Sequence, residues 1–433
     1  MLASLDTIDW ADLTHAYGRA KDVPDQIRAL RSPDPGIRDK ALHSLYGNIF
    51  HQGTRFEASA YAVPFLLELV ADPETPDRVA VLGLLTQLAI GYGEQLLPSG
   101  YPLDGHRATA AGGDLLLAAG KEFADDDEED DDEEDDWGED LGLFQYLQTL
   151  EPEDEGLLFA YFALKAYDAV GAGLPMFRGL LADEDASLRA AAAYALAWYP
   201  EERAASLPPL LRAAIDEEPA VAATALVAIG LLGGPSGVAP SAERAPETAR
   251  DTRPDAGADT AVDAGADTAA VLGAALDDPR DVVRWGAAIA QSRLRGPAAG
   301  DRVADELLGW IARDDASYEA IPFNDGDLRG YAALALRELG DAHADALFAA
   351  LLARLPALSG IQALPVAVVA LRIAYPEPLP AGTPFTTLDD RQRRLLRVLA
   401  DSRGVWELGN FMEFVTHYGL PRSREDMAAY ARA

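Results

Sequence analysis

At 433 residues, nearly half of them apolar, the chain exceeds one ordinary core and is long enough for several domains or one elongated repeat array. It contains no cysteine, which excludes disulfides, thiolate zinc sites and cysteine nucleophiles and fits a reducing compartment. The formal charge of -36 works against nucleic acid and anionic membranes, which are bound through cationic side chains, and favours a basic partner.

The N-terminal "MLASLDTIDWADL" has neither a basic start nor an apolar run of signal-peptide length, and no stretch approaches the roughly 18 to 20 apolar residues of a membrane span. A cytoplasmic protein is expected. Residues 1–92 read as N-terminal helical hairpins. "DPGIRDKALHSL" from Asp34 opens a helix over 35–52 whose Ile37, Ala41 and Leu45 share one face. "NIFHQGTRFEAS", residues 48–59, reads as a joint: Gly53 takes the left-handed position that closes the helix, and Thr54 with Glu57 forms a capping box for the next one. That leaves His51 and Gln52 as candidate groove residues. "VPFLLELVAD" and a looser repeat copy, "DPETPDRVAVLGLL" from Asp72, follow.

Residues 93–136 read as a loop insertion with a short apolar helix at 114–120 and then twelve consecutive carboxylates, Asp125 to Asp136. Like charges in such a run repel, so it is expected to stay solvated and disordered. Residues 137–233 return to repeats, with "DEDASLRAAAAYAL" from Asp183 and "DEEPAVAATALVAI" from Asp216, and carry fifteen acids against five bases. The tandem "DAGADTAV" and "DAGADTAA" mark 234–270 as a low-complexity, disordered linker. Residues 271–375 hold "DDPRDVVRWGAAIA" from Asp277 and "NDGDLRGYAALAL" from Asn324, and "PEPLPAGTPFTTL" leads to a C-terminal helical cap within 376–433.

Laid under one another, the copies share a polar turn, an apolar residue and usually an arginine directly after it: Ile37-Arg38, Leu188-Arg189, Val283-Arg284 and Leu328-Arg329. Val221-Ala222 lacks the arginine. Turn acids such as Asp185, Asp281 and Asp327 stand where a ladder with these arginines would form. A helical hairpin of this kind cannot bury its apolar face alone and must stack on the next. The expected fold is all-α, an α-solenoid of stacked hairpins.

The pattern D-P-x-x-x-V-R-x-x-A-A-x-A-L resembles the HEAT and phycobilisome-lyase-type HEAT-like repeats, which implies a curved α-solenoid that binds other proteins. "IDWADLTHAYGRAKDVPDQIRAL", "LYGNIFHQGT", "AYAVPFLLEL" and "DSRGVWELGNFMEFVTHYGLP" are similar to bacterial HEAT-repeat proteins without assigned activity. HEAT-like proteins also occur among immunity proteins of bacterial toxin systems.

Catalytic signatures are sparse. His15, His43, His51, His106, His343 and His417 are never followed by Glu, unlike the iron-binding pairs of HEAT-like hydroxylases, and H-E-x-x-H, G-x-S-x-G and P-loop patterns do not occur. "NDGD", Asn324 to Asp327, lacks the ligand spacing of a calcium loop and reads as a turn in which Asp327 caps the next helix. No metal or cofactor is expected. Besides His51 and Gln52, candidate binding residues are Tyr194, Trp198, Trp285, Arg329 and Tyr331, large groups on repeat helices that serve either as anchors or as core. The function expected is a non-enzymatic protein-binding solenoid, an inhibitor or immunity-type protein for a basic partner. The alternatives are a structural scaffold whose charge serves solubility, for which four lysines against 32 arginines speak, or a HEAT-like enzyme such as a lyase with an unrecognised pocket.

Overall fold

The computed structural model of the protein describes residues 2–128, 142–233, 258–380 and 382–432. These residues are mostly helical and divide into two compact units. The first holds Met1–Leu96 and Gly100–Pro209; the second holds Leu97–Ser99 and the described chain from Leu210 onward. Much of the acid run lies outside the described residues, but Asp125–Glu128 continue a helix Gly113–Glu128, longer than the apolar stretch alone suggests. Of the stretch read as a linker, 234–257 also lies outside them, whereas Ala258–Ala275 is helix and takes in the second "DAGADTAA" copy.

In the first unit the helices Glu57–Ala71, Arg78–Ile90 and Pro152–Gly171 pack mutually, and Leu174–Leu180 packs on Ala186–Leu196. Apolar residues at helical spacing drive this: Leu188, Ala192 and Leu196 are all buried, as are Leu66, Leu69 and Val70. The first repeat helix, Pro35–Asn48, buries Ala41 and Leu45 but leaves Ile37 49% exposed, so its expected apolar face is incomplete. Asp34 and Asp185 cap their helices as the repeat implies, accepting from Gly36 N and Ser187 N at 2.8 Å each.

Two short β-hairpins, unforeseen in the sequence, interrupt the helices. Thr14–His15 pairs with Gly18–Arg19, and Phe50–His51 pairs with Thr54–Arg55 in the register Phe50↔Arg55 and His51↔Thr54. The second replaces the expected joint. The helix ends at Asn48, and Gln52 and Gly53 (φ 50° and 88°) form the two-residue turn, both left-handed as a type I′ hairpin requires. Thr54 therefore lies in a strand and caps nothing. Ser59 Oγ instead accepts from Phe56 N at 2.8 Å and donates to Ile49 O at 2.7 Å, while Glu57 is buried and ion-paired with Lys121 at 2.9 Å. A capping box does occur at Asp389 and Gln392, opening the helix Asp390–Asp401.

In the second unit Pro219–Gly233 packs along Asp281–Arg295, and Asp301–Ala312, Leu328–Arg337, Ala344–Arg354 and Gly360–Ala374 follow, each against its chain neighbours. The first pair touches backbone to backbone. A Cβ on Gly230 would lie 2.6 Å from Ala290 Cα, and one on Gly286 would lie 2.8 Å from Ala223 O. Only glycine permits that approach.

The expected ladder with Asp185, Asp281 and Asp327 is not among the described ion pairs; Arg38 pairs instead with Asp77, ahead of the next copy's helix, and Arg284 with Glu306. Each repeat arginine folds back and forks onto two carbonyls of the preceding loop: Arg38 onto Ser32 O and Pro33 O, Arg189 onto Asp183 O and Glu184 O, Arg284 onto Asp278 O and Pro279 O, all at 2.8–3.2 Å. Arg329 does the same for Arg313 O and Asp314 O at 2.7 and 3.1 Å. The reason is chemical: the end of a helix leaves carbonyls without intrahelical donors, and a guanidinium supplies a planar pair of them. The turn acids go elsewhere, Asp185 to its helix cap and Asp281 to Arg313 at 2.7 Å. Where the Val221-Ala222 copy lacks its arginine, Arg280 of the next copy reaches Asp216 O at 2.7 Å and Glu217 O at 2.9 Å. These carbonyls stand six and five residues before Ala222, the same offsets that Arg38, Arg189 and Arg284 serve.

Candidate functional site

The hairpins bring chemistry together in the first unit. Ala16 N donates to Asn48 O at 3.0 Å, which holds the first hairpin beside the start of the second. Asp22 reinforces the junction, bonding His15 Nε2 at 2.9 Å, Asn48 Nδ2 at 2.7 Å and Gln26 Nε2 at 2.6 Å. Burial alone would raise the Asp22 pKa, but His15 foremost, with the Asp22 backbone amide and Asn48, holds it below the ordinary value. On the outside, Tyr17 is 68% exposed and meets His51 edge-on at 5.3 Å, its hydroxyl 3.3 Å from Nδ1. His51 Nδ1 also lies 3.1 Å from Gly47 O. Gln52 is exposed at the turn, and the ring of the exposed Tyr92 lies against Gly53, where a Cβ would meet it at 2.9 Å. The sequence-based candidates His51 and Gln52 thus belong to an exposed aromatic surface with Tyr17 and Tyr92.

The first unit also holds a stacked column of rings. His106 lies on Tyr101 (4.7 Å between centroids, 15° between planes), Tyr101 on Tyr167 (4.5 Å, 6°) and Tyr167 on Tyr199 (4.4 Å, 21°). Tyr167 Oη contacts Trp198 O at 3.1 Å and both Glu201 oxygens at 3.0 Å, and Tyr199 Oη donates to Tyr167 O at 3.2 Å. Burial drives the pKa of Tyr167 and Tyr199 upward, and pushes that of Tyr101 up to about 12. Arg55, from the second hairpin, is buried. Its Nη1 donates to Gly53 O, and its charge, after burial, helps lower the pKa of His106. Arg55 stands inside the stretch 48–59 but was masked there by the capping pattern, and Tyr101 falls in what reads as loop.

Of the remaining candidates, Trp198, Trp285, Tyr331 and Arg329 are buried in the core, and Tyr194 is half-buried. Trp198, Trp285 and Tyr331 are buried, with Trp285 Nε1 donating to Leu328 O at 3.0 Å and its ring meeting Tyr331 edge-on at 5.7 Å. Arg329 is buried on its carbonyls, and Tyr194 packs edge-on against Trp198 at 5.5 Å. Helix positions of this kind face a neighbouring helix, which covers them. Asp327 precedes Leu328–Arg337 in a loop whose Asn324, Asp325 and Gly326 are left-handed; burial raises its pKa against the pull of the Gly330 and Arg329 amides.

Among the described residues no group of three or more His, Asp or Glu side chains is placed to hold a metal ion. No single described helix is long and apolar enough to cross a membrane, although the bent pair Pro152–Gly171 and Leu174–Leu180 passes that test together. No protein-family model and no curated protein matches the chain. Among solved structures, a crystallised engineered protein aligns with 96% of this chain and 89% of its own at 16% identity, with a TM-score of 0.29.

Proposed function

We propose that this chain is a HEAT-like α-solenoid that works without chemistry of its own, holding a basic protein against an acidic surface in the manner of an inhibitor or immunity protein. The observation that carries this reading is the exposure of its carboxylates. Glu151, Glu153, Asp154 and Glu155 crowd the start of one helix in the first unit, Glu184 and Asp185 precede another, and all are exposed. In the second unit Glu217 and Glu218 stand exposed before Pro219–Gly233. Each group sits at a helix N-terminus, where the helix dipole tolerates negative charge at no cost to folding. Charge placed this way raises the encounter rate with a cationic partner and falls in effect with salt. The exposed Tyr17 and Tyr92 add amphipathic contact area of the type that anchors protein interfaces.

The test is affinity capture from the host lysate at low and high salt, with the wild type and a triple charge reversal, Glu153→Lys, Asp154→Lys and Glu155→Lys. A basic protein retained by the wild type at low salt, released at high salt and lost with the triple variant is the expected result. Equal capture by both proteins, or capture of nothing basic at either salt concentration, would overturn the reading.

A further inference from the structure

We infer that Asp12 and Glu57 form a socket for a lysine side chain of a basic partner, a socket that the protein's own Lys121 fills in the structure; this names one contact of the basic partner proposed above and rests on that reading. The bound ammonium shows where the acceptors converge. Lys121 Nζ donates to Asp12 Oδ2 at 2.8 Å and to Asp12 O at 3.3 Å, and it lies 2.9 Å from Glu57 Oε1. Three oxygens around one nitrogen match the three donors of an ammonium. The Glu57 side chain is 5% exposed and its Oε2 has no hydrogen-bond partner, so this buried carboxylate depends chiefly on the cation beside it. Burial holds its pKa above the ordinary value, against the pull of Lys121.

The occupant supplied by the chain itself is poorly matched in charge to its place. Lys121 belongs to the helix Gly113–Glu128, which carries six acidic residues and this one basic residue, yet the helix is set against two carboxylates. Apart from the lysine, its charge opposes docking. Its apolar seating is also incomplete. Gly113 lies against Tyr161, where a Cβ would come within 2.3 Å of the Tyr161 Cβ, but Leu115 is 72% exposed. The Lys121 side chain is 35% exposed and that of Asp12 is 65% exposed, so solvent reaches the mouth of the socket. A partner that brings its lysine on a cationic segment is attracted both by the socket and by the acidic helix, whereas the helix brings its own lysine among acids. Exchanging one ammonium for another keeps Glu57 paired and frees the helix.

The full-length protein is titrated into fluorescently labelled oligolysine at low salt, binding is followed by anisotropy, and hydrogen exchange of the Gly113–Glu128 amides is read with and without the peptide. For the wild type, saturating peptide should speed exchange in that helix. Lys121→Met empties the socket and should bind oligolysine about tenfold more tightly, because an internal competitor lowers apparent affinity by the fraction of time it holds the site. Adding Glu57→Gln to Lys121→Met abolishes that gain and leaves no buried carboxylate unpaired, and circular dichroism verifies that both variants are folded. Peptide that binds the wild type without speeding exchange in the helix, or that binds Lys121→Met no more tightly, would overturn the socket while leaving the acidic-surface reading in place. No binding at all would also overturn the socket, and the lysate capture then decides the broader reading separately. If Lys121→Met does not fold, the exchange result on the wild type decides alone.

Discussion

Replacing Arg280 by alanine tests whether the structure holds its loops as described. The guanidinium donates to Asp216 O and Glu217 O at 2.7 and 2.9 Å and grips Asp278 through both carboxylate oxygens at 2.9 Å. The side chain is 29% exposed and Glu217 is open to solvent, so water replaces part of what is lost. Two hydrogen bonds from a charged donor, reduced for that hydration, amount to about 1–2 kcal/mol, and the Asp278 pair adds at most a few tenths. Lysine in its place keeps the charge and, because Nη1 alone serves both carbonyls, can still reach them with one nitrogen, but it loses the Nε and Nη2 grip on Asp278 and should recover more than about half of the loss. The measurement is urea unfolding by far-UV circular dichroism, read as a shift in midpoint at unchanged slope. Arg284→Ala, which frees Asp278 O and Pro279 O in the same unit, is the internal standard and should cost a similar amount. If Arg280→Ala unfolds within about 0.3 kcal/mol of wild type while Arg284→Ala is clearly weakened, a borrowed arginine does not complete the repeat at Ala222, and the reasoning fails.

Two further outcomes follow from packing and charge. Gly286→Ala forces a methyl to within 2.8 Å of Ala223 O and should destabilise by about 1–3 kcal/mol, whereas Gly309→Ala, with nothing within 4 Å, should be neutral or stabilising by up to about 1 kcal/mol; thermal melts of the two separate overpacking from helix propensity. Asp22 has a depressed folded pKa, so it contributes stability above its unfolded value of 3.8 that disappears as pH falls through the folded one. Asp22→Asn should therefore be less stable than wild type at pH 6 and lose this part of the acid dependence, which urea midpoints measured from pH 6 down to about pH 2.5 will register.

The mostly helical class was legible because the same signal recurs: a turn acid, an apolar residue and an arginine before small apolar residues at helical spacing. Asp34 and Asp185 cap as expected because an N-cap is decided within three residues. Partners supplied from a distance were not legible. The arginines satisfy carbonyls rather than the acids that sit nearer in sequence, and Arg280 serves a loop 64 residues away. The hairpin at 50–55 escaped because Gln52-Gly53 is a weak turn signal between strands of two residues, and Thr54 with Glu57 mimicked a cap. Of the candidate site, His51 and Gln52 reached the surface, while Trp198, Trp285 and Tyr331 went to the core, because sequence marks an aromatic as large but does not say which neighbour covers it. Arg55 and Tyr101 went unnoticed because burial is a property of three-dimensional surroundings alone.

The backbone contact between Pro219–Gly233 and Asp281–Arg295 bears on how the chain tolerates being cut. One helix precedes residues 234–257 and the other follows them, yet Gly230 and Gly286 bring their backbones together as closely as glycine permits. That adhesion is written into side-chain shape and does not depend on the peptide thread between. A protease that severs the thread would yield two bands on a denaturing gel and a single particle on a sizing column.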